Sequence, residues 1–278
     1  MGPATKKQLA EELVCEYKVP VSRACKMLSF PRSEFYYSTR KDDSEVIELL
    51  QQLAFDHPSY GFRKLFAYIR RTGKKWNRKK VYRVYKLLKL NKRRKGKRRL
   101  PSRVKQPLQK QTAVNSTWSM DFMSDTMVHG RKFRTFNVMD DGSREALAIE
   151  IDTSLSSKRI IRTLDQIIDE RGKPMIVRTD NGPEFTSKDF ELWAKEKGIS
   201  IQYIQPGRPM QNGYIERFNR VYREAVLDAY LFFDLNQVRA LTQEWIKEYN
   251  ERRPHEALNN QTPVEWKNNL IANENTLT

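Results

Sequence analysis

The stretch STWSMDFMSDTMVHGRKFRTFNVMDDGSREALAIEID, residues 116–152, alternates apolar and polar side chains with a period near two. That period places successive side chains on opposite faces of a strand. Residues 116–127, 132–140 and 145–152 are predicted as three consecutive antiparallel strands, with turns at His129-Gly130 and Asp141-Gly142-Ser143.

Downstream the period lengthens. Residues 157–170 carry Ile160, Ile161, Leu164, Ile167 and Ile168 at helical spacing and stop at Gly172. Residues 175–179 read as a strand, 187–197 as a helix ending at Gly198, and 199–204 as another strand. The order β-β-β-α-β-α-β, followed by helices, resembles the ribonuclease-H-like fold, a mixed sheet with helices on both faces.

Upstream the pattern is helical. Residues 6–18 place Leu9, Leu13, Val14 and Tyr17 on one face, and residues 21–37 do the same with Val21, Ala24, Cys25 and Leu28. Pro20 separates them, and Pro31 opens a third piece at a first turn, where its missing N–H costs little. Short helices so closely spaced resemble a helix-turn-helix unit. Residues 44–55 form one amphipathic helix through Val46, Ile47, Leu49, Leu50 and Leu53, and a helical pair follows at 61–71 and 78–88, the second capped by Asn77. In that last helix Val81, Val84, Tyr85 and Leu88 face a core, leaving Arg78, Lys79, Lys80, Arg83 and Lys86 outward. One apolar and one strongly basic face is what a major-groove reader presents.

Charge is divided unevenly along the 278 residues, whose formal net charge is +18. Residues 1–113 hold 30 Lys+Arg against 9 Asp+Glu, whereas residues 114–278 hold 22 against 25. A half that binds a polyanion is thus joined to a near-neutral half with another task. Between them NKRRKGKRRLPSRVKQPLQKQ, residues 91–111, has ten Lys/Arg, no acid and almost no apolar residue. It cannot build a core. It reads as a linker that tracks a phosphate backbone through Lys92, Arg93, Arg94, Lys95, Lys97, Arg98 and Arg99. Apolar runs fall far short of the ~20 residues of a membrane span. The start MGPATKKQLAEE lacks a signal peptide's apolar stretch, so a cytoplasmic location is expected. Cys15 and Cys25, ten positions apart with no histidine nearby, suggest neither a disulfide framework nor a zinc site, and both are expected to be buried.

Three carboxylates occupy distinctive places. Asp121 lies within the first strand, in WSMDF, and Asp180 lies just past the carboxyl end of the fourth, in RTDNGPEF. Ligands of an α/β sheet usually bind at that end of its strands. Glu216 sits on the helix that opens near Gly213, in QNGYIERF. In a ribonuclease-H-like sheet the first and fourth strands are neighbours, which brings Asp121 close to Asp180, with Glu216 closing the site from a helix face. Mutual repulsion then raises the pKa of at least one acid. A hard cation such as Mg²⁺ suits this set better than it suits His or Cys. Two such ions about 3.5 to 4 Å apart serve phosphodiester chemistry by activating an oxygen nucleophile and neutralising the leaving oxygen. Asp140 and Asp141 read as turn residues, and Glu184 as carried away from the site. His57, His129 and His255 lack an i, i+4 partner, and Trp118, Trp193, Trp245 and Trp266 fit core positions.

Thirty-five residues separate Asp180 from Glu216, and the triad resembles the DDE motif of retroviral integrases and bacterial insertion-sequence transposases. TDNGPEF, PMQNGYIERFNR with Arg223 seven positions after the glutamate, YNERRPHEAL, and TPVEW at 262–266 are similar, in order, to second-frame (OrfB) transposases of the insertion-sequence-three family. The similarity covers roughly residues 40–270. It implies an α/β, retroviral-integrase-like catalytic core with N-terminal helix-turn-helix units. It also implies catalytic and metal-binding roles for Asp121, Asp180 and Glu216, with Mg²⁺ or Mn²⁺ at two ions per site, and contact of Arg223 with the transposon end.

The expected domains are a helix-turn-helix unit at 1–40, a second helical DNA-binding unit at 41–90, a basic linker at 91–113, the catalytic core at 114–232 and a helical extension at 233–278. Asn181 and Gly182 are expected to shape the turn presenting Asp180, since Asn-Gly tolerates positive φ. Gln211, Asn212 and Gly213 are expected to position the glutamate helix, with Gln211 and Asn212 touching DNA. The implied partner is double-stranded DNA, both terminal inverted repeats and target, in the bacterial nucleoid. Water attacks a phosphodiester at the element end, and the freed 3′ hydroxyl attacks a second one, with no covalent protein–DNA intermediate. Two ends must meet, so at least a dimer is expected. Family members often gain an upstream-frame fusion partner with a leucine zipper, whose heptads do not occur here. Two other readings stay open: a ribonuclease-H-like nuclease that only hydrolyses, and a non-catalytic DNA-binding descendant of a transposase.

Overall fold

The computed structural model describes residues 2–37, 42–91, 113–205 and 212–275. The chain divides into two compact units, Met1–Glu48 and Leu49–Thr278. In the first, α1 (Pro3–Cys15), α2 (Val21–Met27) and α3 (Arg32–Tyr36) bury Ala10, Ala24, Cys25 and Phe30. The helix predicted from residue 21 ends at Met27. Ser29 takes a left-handed φ of 46°, Phe30 N–H donates back to the Cys25 carbonyl at 2.9 Å, and Pro31 disfavours helical backbone at Phe30. Cys15, expected to be buried, is exposed. It lies about 140° around the helix from Ala10, the buried residue of α1.

After α4 (Ser44–Asp56), the helices α5 (Phe62–Arg71) and α6 (Arg78–Leu87) form the expected pair. The Asn77 side chain accepts from Lys79 N–H at 2.8 Å, which is the predicted cap. Val81, Val84 and Tyr85 are buried, while Arg78, Lys79 and Arg83 are exposed and Lys80 is half-buried.

The strands β1 (Thr117–Thr126), β2 (Lys132–Asp140), β3 (Ala146–Asp152), β4 (Ile176–Thr179) and β5 (Ser200–Tyr203) each fall within one residue of their predicted bounds. They form one sheet in the order β3-β2-β1-β4-β5. β1 pairs antiparallel with β2, and β2 with β3, whereas β1–β4 and β4–β5 are parallel. Parallel neighbours need crossovers, which α7 (Ser157–Arg171) and α8 (Lys188–Lys197) supply. Ser187 caps α8 by accepting from Phe190 N–H, and Gly198 ends it in the left-handed region. The first and fourth strands are neighbours, as the sequence predicts.

Alternation along β1 sorts its side chains between two layers. Trp118 and Met120 join Val138, Leu164, Phe190 and Trp193 in the layer of α7 and α8. Met123 joins Phe133, Ile149, Ile151, Phe218, Tyr222 and Trp245 in the layer of α9 (Gly213–Tyr222) and α10 (Leu235–Lys247). Asp121 shares the parity of Met123 and so faces α9. Both α9 and α10 run on into five-residue π-turns, Arg223–Leu227 and Glu248–Arg252, and α11 (Pro263–Asn275) ends the described chain. Because α10 packs in the same layer as α9, residues after 232 help to cover the sheet. Trp118, Trp193 and Trp245 are buried, and Trp266 is half-buried. No described helix is long and apolar enough to cross a membrane.

Candidate active site

Asp121 projects from the middle of β1, opposite Asn137 of β2. Its Oδ1 accepts from Phe122 N–H at 2.8 Å, and its Oδ2 accepts from Asn219 Nδ2 at 2.7 Å. Asn219 in turn accepts from Asn137 Nδ2 at 2.7 Å, so a buried amide chain links β2, α9 and the carboxylate. Burial is the main reason that the Asp121 pKa is pushed up to about 6. The hydrogen bond from Phe122 opposes the shift, the charges of Asp180 and Glu216 add to it, and Asn219 pulls it back.

Asp180 follows β4 directly and is exposed. Its Oδ1 accepts from Gly182 N–H at 3.0 Å, and Asn181 Nδ2 donates to the Ile204 carbonyl at 3.2 Å, which fixes the turn to the end of β5. Neither Asn181 nor Gly182 has positive φ, contrary to expectation. Glycine here leaves room for two neighbouring carboxylates. A Cβ at position 182 would lie 3.0 Å from Asp180 Oδ1 and 3.3 Å from Glu184 Oε2. Glu184 therefore flanks the turn, and Arg134 holds its carboxylate at 2.5 Å. Glu216 is exposed in the first turn of α9.

Among the described residues, no three His, Cys, Asp or Glu side chains are grouped as a ready-made metal cage. Asp121 and Asp180 direct oxygens at N–H donors, and three like charges resist closer approach. The donor set is nevertheless all carboxylate oxygen, and the charges of Asp180 and Glu216, which add to the effect of burial on Asp121, are a repulsion that a divalent cation relieves. On these grounds the residues fit a hard divalent cation.

Sequence reasoning missed several residues that hold this site in place. Asp141 reads as a turn residue, yet it is fully buried and accepts from Arg178 Nη1 at 2.6 Å and Ser119 Oγ at 2.7 Å. Arg178 also donates to Gln202 at 3.0 Å. One ion pair thus ties β1, the β2–β3 turn, β4 and β5. Asp140 does serve the turn, accepting from Gly142 N–H and Ser143 N–H. The signal for Asn219 was its place three positions after Glu216, on the same side of one helix.

The remaining candidates are spread out. Arg223 lies on the α9 face of Glu216 and Asn219, but its guanidinium is tied to the end of β1 through Ser124 O at 3.0 Å and Asp125 at 3.3 Å. Asn212, expected at DNA, is 4% exposed and donates to the Met120 carbonyl at 3.4 Å. An amide so enclosed braces the start of α9 rather than meeting a duplex. Lys92, Arg93, Arg94, Lys95, Lys97, Arg98, Arg99 and Gln211 lie outside the described residues.

Two family models, both described as "Integrase core domain", match residues 111–209 and 197–263, and an "HTH-like domain" model matches residues 41–98. The IS407 insertion-element 31.7 kDa protein of Burkholderia multivorans is 38% identical over 253 residues, 90% of this chain and 91% of that protein. The putative transposase InsK of element IS150 from Escherichia coli is 25% identical over 270 residues, covering 90% and 94%. Among solved structures, the simian T-cell lymphotropic virus intasome in complex with PP2A regulatory subunit B56 gamma aligns with a TM-score of 0.51 at 16% identity, over 78% of this chain and 73% of that one. At that identity the likeness concerns the fold alone, which is ribonuclease-H-like. With its integrase core, its HTH-like domain and relatives of this identity, the chain belongs to the DDE transposases of the insertion-sequence-three family, polynucleotidyl transferases of DNA transposition and integration.

Proposed function

We propose that Asp121, Asp180 and Glu216 hold two divalent cations, Mg²⁺ or Mn²⁺, and that the chain cuts duplex DNA at the terminal inverted repeats of its element and joins the freed 3′ hydroxyl to a target. When bound, such ions supply activation of an oxygen nucleophile and neutralisation of charge on the leaving oxygen. The observation that supports this reading is electrostatic. Asp121, buried on β1, is subject to the charges of both Asp180 and Glu216, acids that come from a strand end and a helix.

The chain's own side chains do the positioning. Asn219 and Phe122 N–H orient Asp121, and the turn at Gly182 orients Asp180. Arg78, Lys79, Lys80 and Arg83 on α6 and the basic run 92–99 neutralise backbone phosphates, Gln211 hydrogen-bonds to the DNA, and Arg223 exchanges Asp125 for a phosphate at the transposon end. At least two chains bring the ends together in the nucleoid, and an upstream-frame partner assists end recognition.

Two measurements follow. Titration of Mn²⁺ into the full chain, read from the paramagnetic signal of the free ion, is expected to show binding that Asp121→Asn and Asp180→Asn each abolish. Unchanged binding in both variants overturns the assignment of the acids. Lys79→Gln is expected to weaken duplex binding evenly across sequences and to lower the slope of log affinity against log salt by about 1. A loss confined to one sequence would instead make Lys79 a base reader.

A further inference from the structure

The motifs YNERRPHEAL and TPVEW take no part in the carboxylate site, yet both fasten α5 within the second unit. Glu265 of TPVEW accepts from both Nη atoms of Arg71, at 2.7 and 2.5 Å, and from Thr262 N–H at 2.9 Å. Glu248, just before the other motif, accepts from Tyr60 Oη at 2.5 Å, and Glu256 within it accepts from Arg63 Nη1 at 3.0 Å. Between α5, α9 and these segments lies a cavity of about 750 Å³.

Its wall is far more cationic than its acids can neutralise. Eight Lys and Arg side chains line it against one carboxylate, Glu256, which already pairs with Arg63. Among the described residues Lys64, Arg144, Arg217 and Arg253 join no ion pair. Arg253 is only 4% exposed, and its Nη1, Arg144 Nη1 and His255 Nε2 are closed to solvent without a hydrogen-bond partner. Aromatic rings hold the two guanidinium groups in place: Arg253 lies 5.0 Å from the Tyr60 ring centre, and Arg144 lies 3.3 Å from that of Tyr214. Buried cationic N–H groups left unpaired are costly, and the cost is removed by an oxyanion. Burial, then Arg253 and Arg217, lowers the Lys64 pKa to about 8, and burial with Arg253 lowers His255 to about 3. Burial is the larger cause of both shifts, and the neighbouring guanidinium charges add to it.

The cavity is separate from the acids. Tyr214, Arg217, Phe218 and Val221 line it at i, i+3, i+4 and i+7, whereas Glu216, Asn219 and Arg223 occupy the opposite side of the helix line. Arg78 of α6 lines it as well, so its mouth continues into the exposed basic face of that helix.

We propose that this cavity is a second DNA site, in which Lys64 and Arg217 grip backbone phosphates of the duplex carried by α6, with the enclosed Arg253 adding its positive charge from behind them, and so register the catalytic helix from behind. The proposal rests on the reading that the chain binds duplex DNA. The test is acylation of the full chain near pH 8 with an N-hydroxysuccinimide ester, read lysine by lysine by mass spectrometry, while fluorescence anisotropy follows binding of a short blunt duplex. Lys64 is expected to react readily in the free chain and to be shielded severalfold by the duplex, but not by inorganic pyrophosphate at equal phosphate concentration. Duplex bound with Lys64 as reactive as before overturns the site. Equal shielding by pyrophosphate makes it a small-polyanion pocket and overturns the DNA assignment. No duplex binding at all removes the DNA-binding reading and the proposal together. Independently, Lys64→Gln and Arg217→Gln, with unchanged thermal melting, each lower the salt slope of duplex affinity by about 1; a slope equal to wild type contradicts the grip.

Discussion

Chains carrying Asp180→Asn or Glu216→Gln are expected to lose strand transfer by on the order of a thousandfold or more while keeping their affinity for duplex DNA. Each change preserves size and removes one negative charge. These two positions give the cleanest test because little else depends on their charge. Among the described residues Asp180 accepts only the Gly182 N–H, which an asparagine at the same place accepts equally well. Asp121→Asn is also expected to inactivate, but it disturbs more: both carboxylate oxygens accept hydrogen bonds, and an amide offers only one acceptor. Joined product would be quantified on a denaturing gel and duplex binding by anisotropy. Variants within tenfold of wild-type rate would remove Asp180 and Glu216 from the chemistry.

The second large effect concerns stability. Arg178→Met is expected to cost roughly 3 to 5 kcal/mol in urea unfolding, because it leaves the Asp141 carboxylate alone in the interior. Burial already pushes the Asp141 pKa upward, and Ser119 and Arg178 offset part of that push. Asp141→Leu combined with Arg178→Met is expected to recover most of the loss, since an apolar pair of similar volume carries no buried charge. A double variant as unstable as the single one would mean that the pair matters through packing. The consequence reaches the site, for the pair ties β1, which carries Asp121, to β4, which delivers Asp180.

The strands were legible because alternation is a local property. The run 116–152 carried enough of it to set β1, β2 and β3 within one residue, and Gly172 and Gly198 marked the ends of α7 and α8. The triad was legible because each acid sits beside a local signal, in a strand, past a strand end or at a helix start. Partners distant in sequence were not legible. Asp141 looked like a turn residue because Arg178 is 37 positions away, and Asn219 meets Asp121 across 98. The burial of Asn212 likewise arises only where α9 meets β1, and the cationic cavity behind α9 only where α9, α5 and the C-terminal motifs meet. No periodicity in one segment encodes that meeting.

Strand transfer itself is tested most directly by incubating the full chain with Mg²⁺, an unlabelled target duplex and the terminal duplex of its own element, labelled and ending in a free 3′ hydroxyl. Joining predicts labelled strands longer than the input, dependent on the ion and lost in Glu216→Gln. Labelled strands that only shorten, with none lengthened at any time, would contradict transposition by this chain and leave a nuclease in its place.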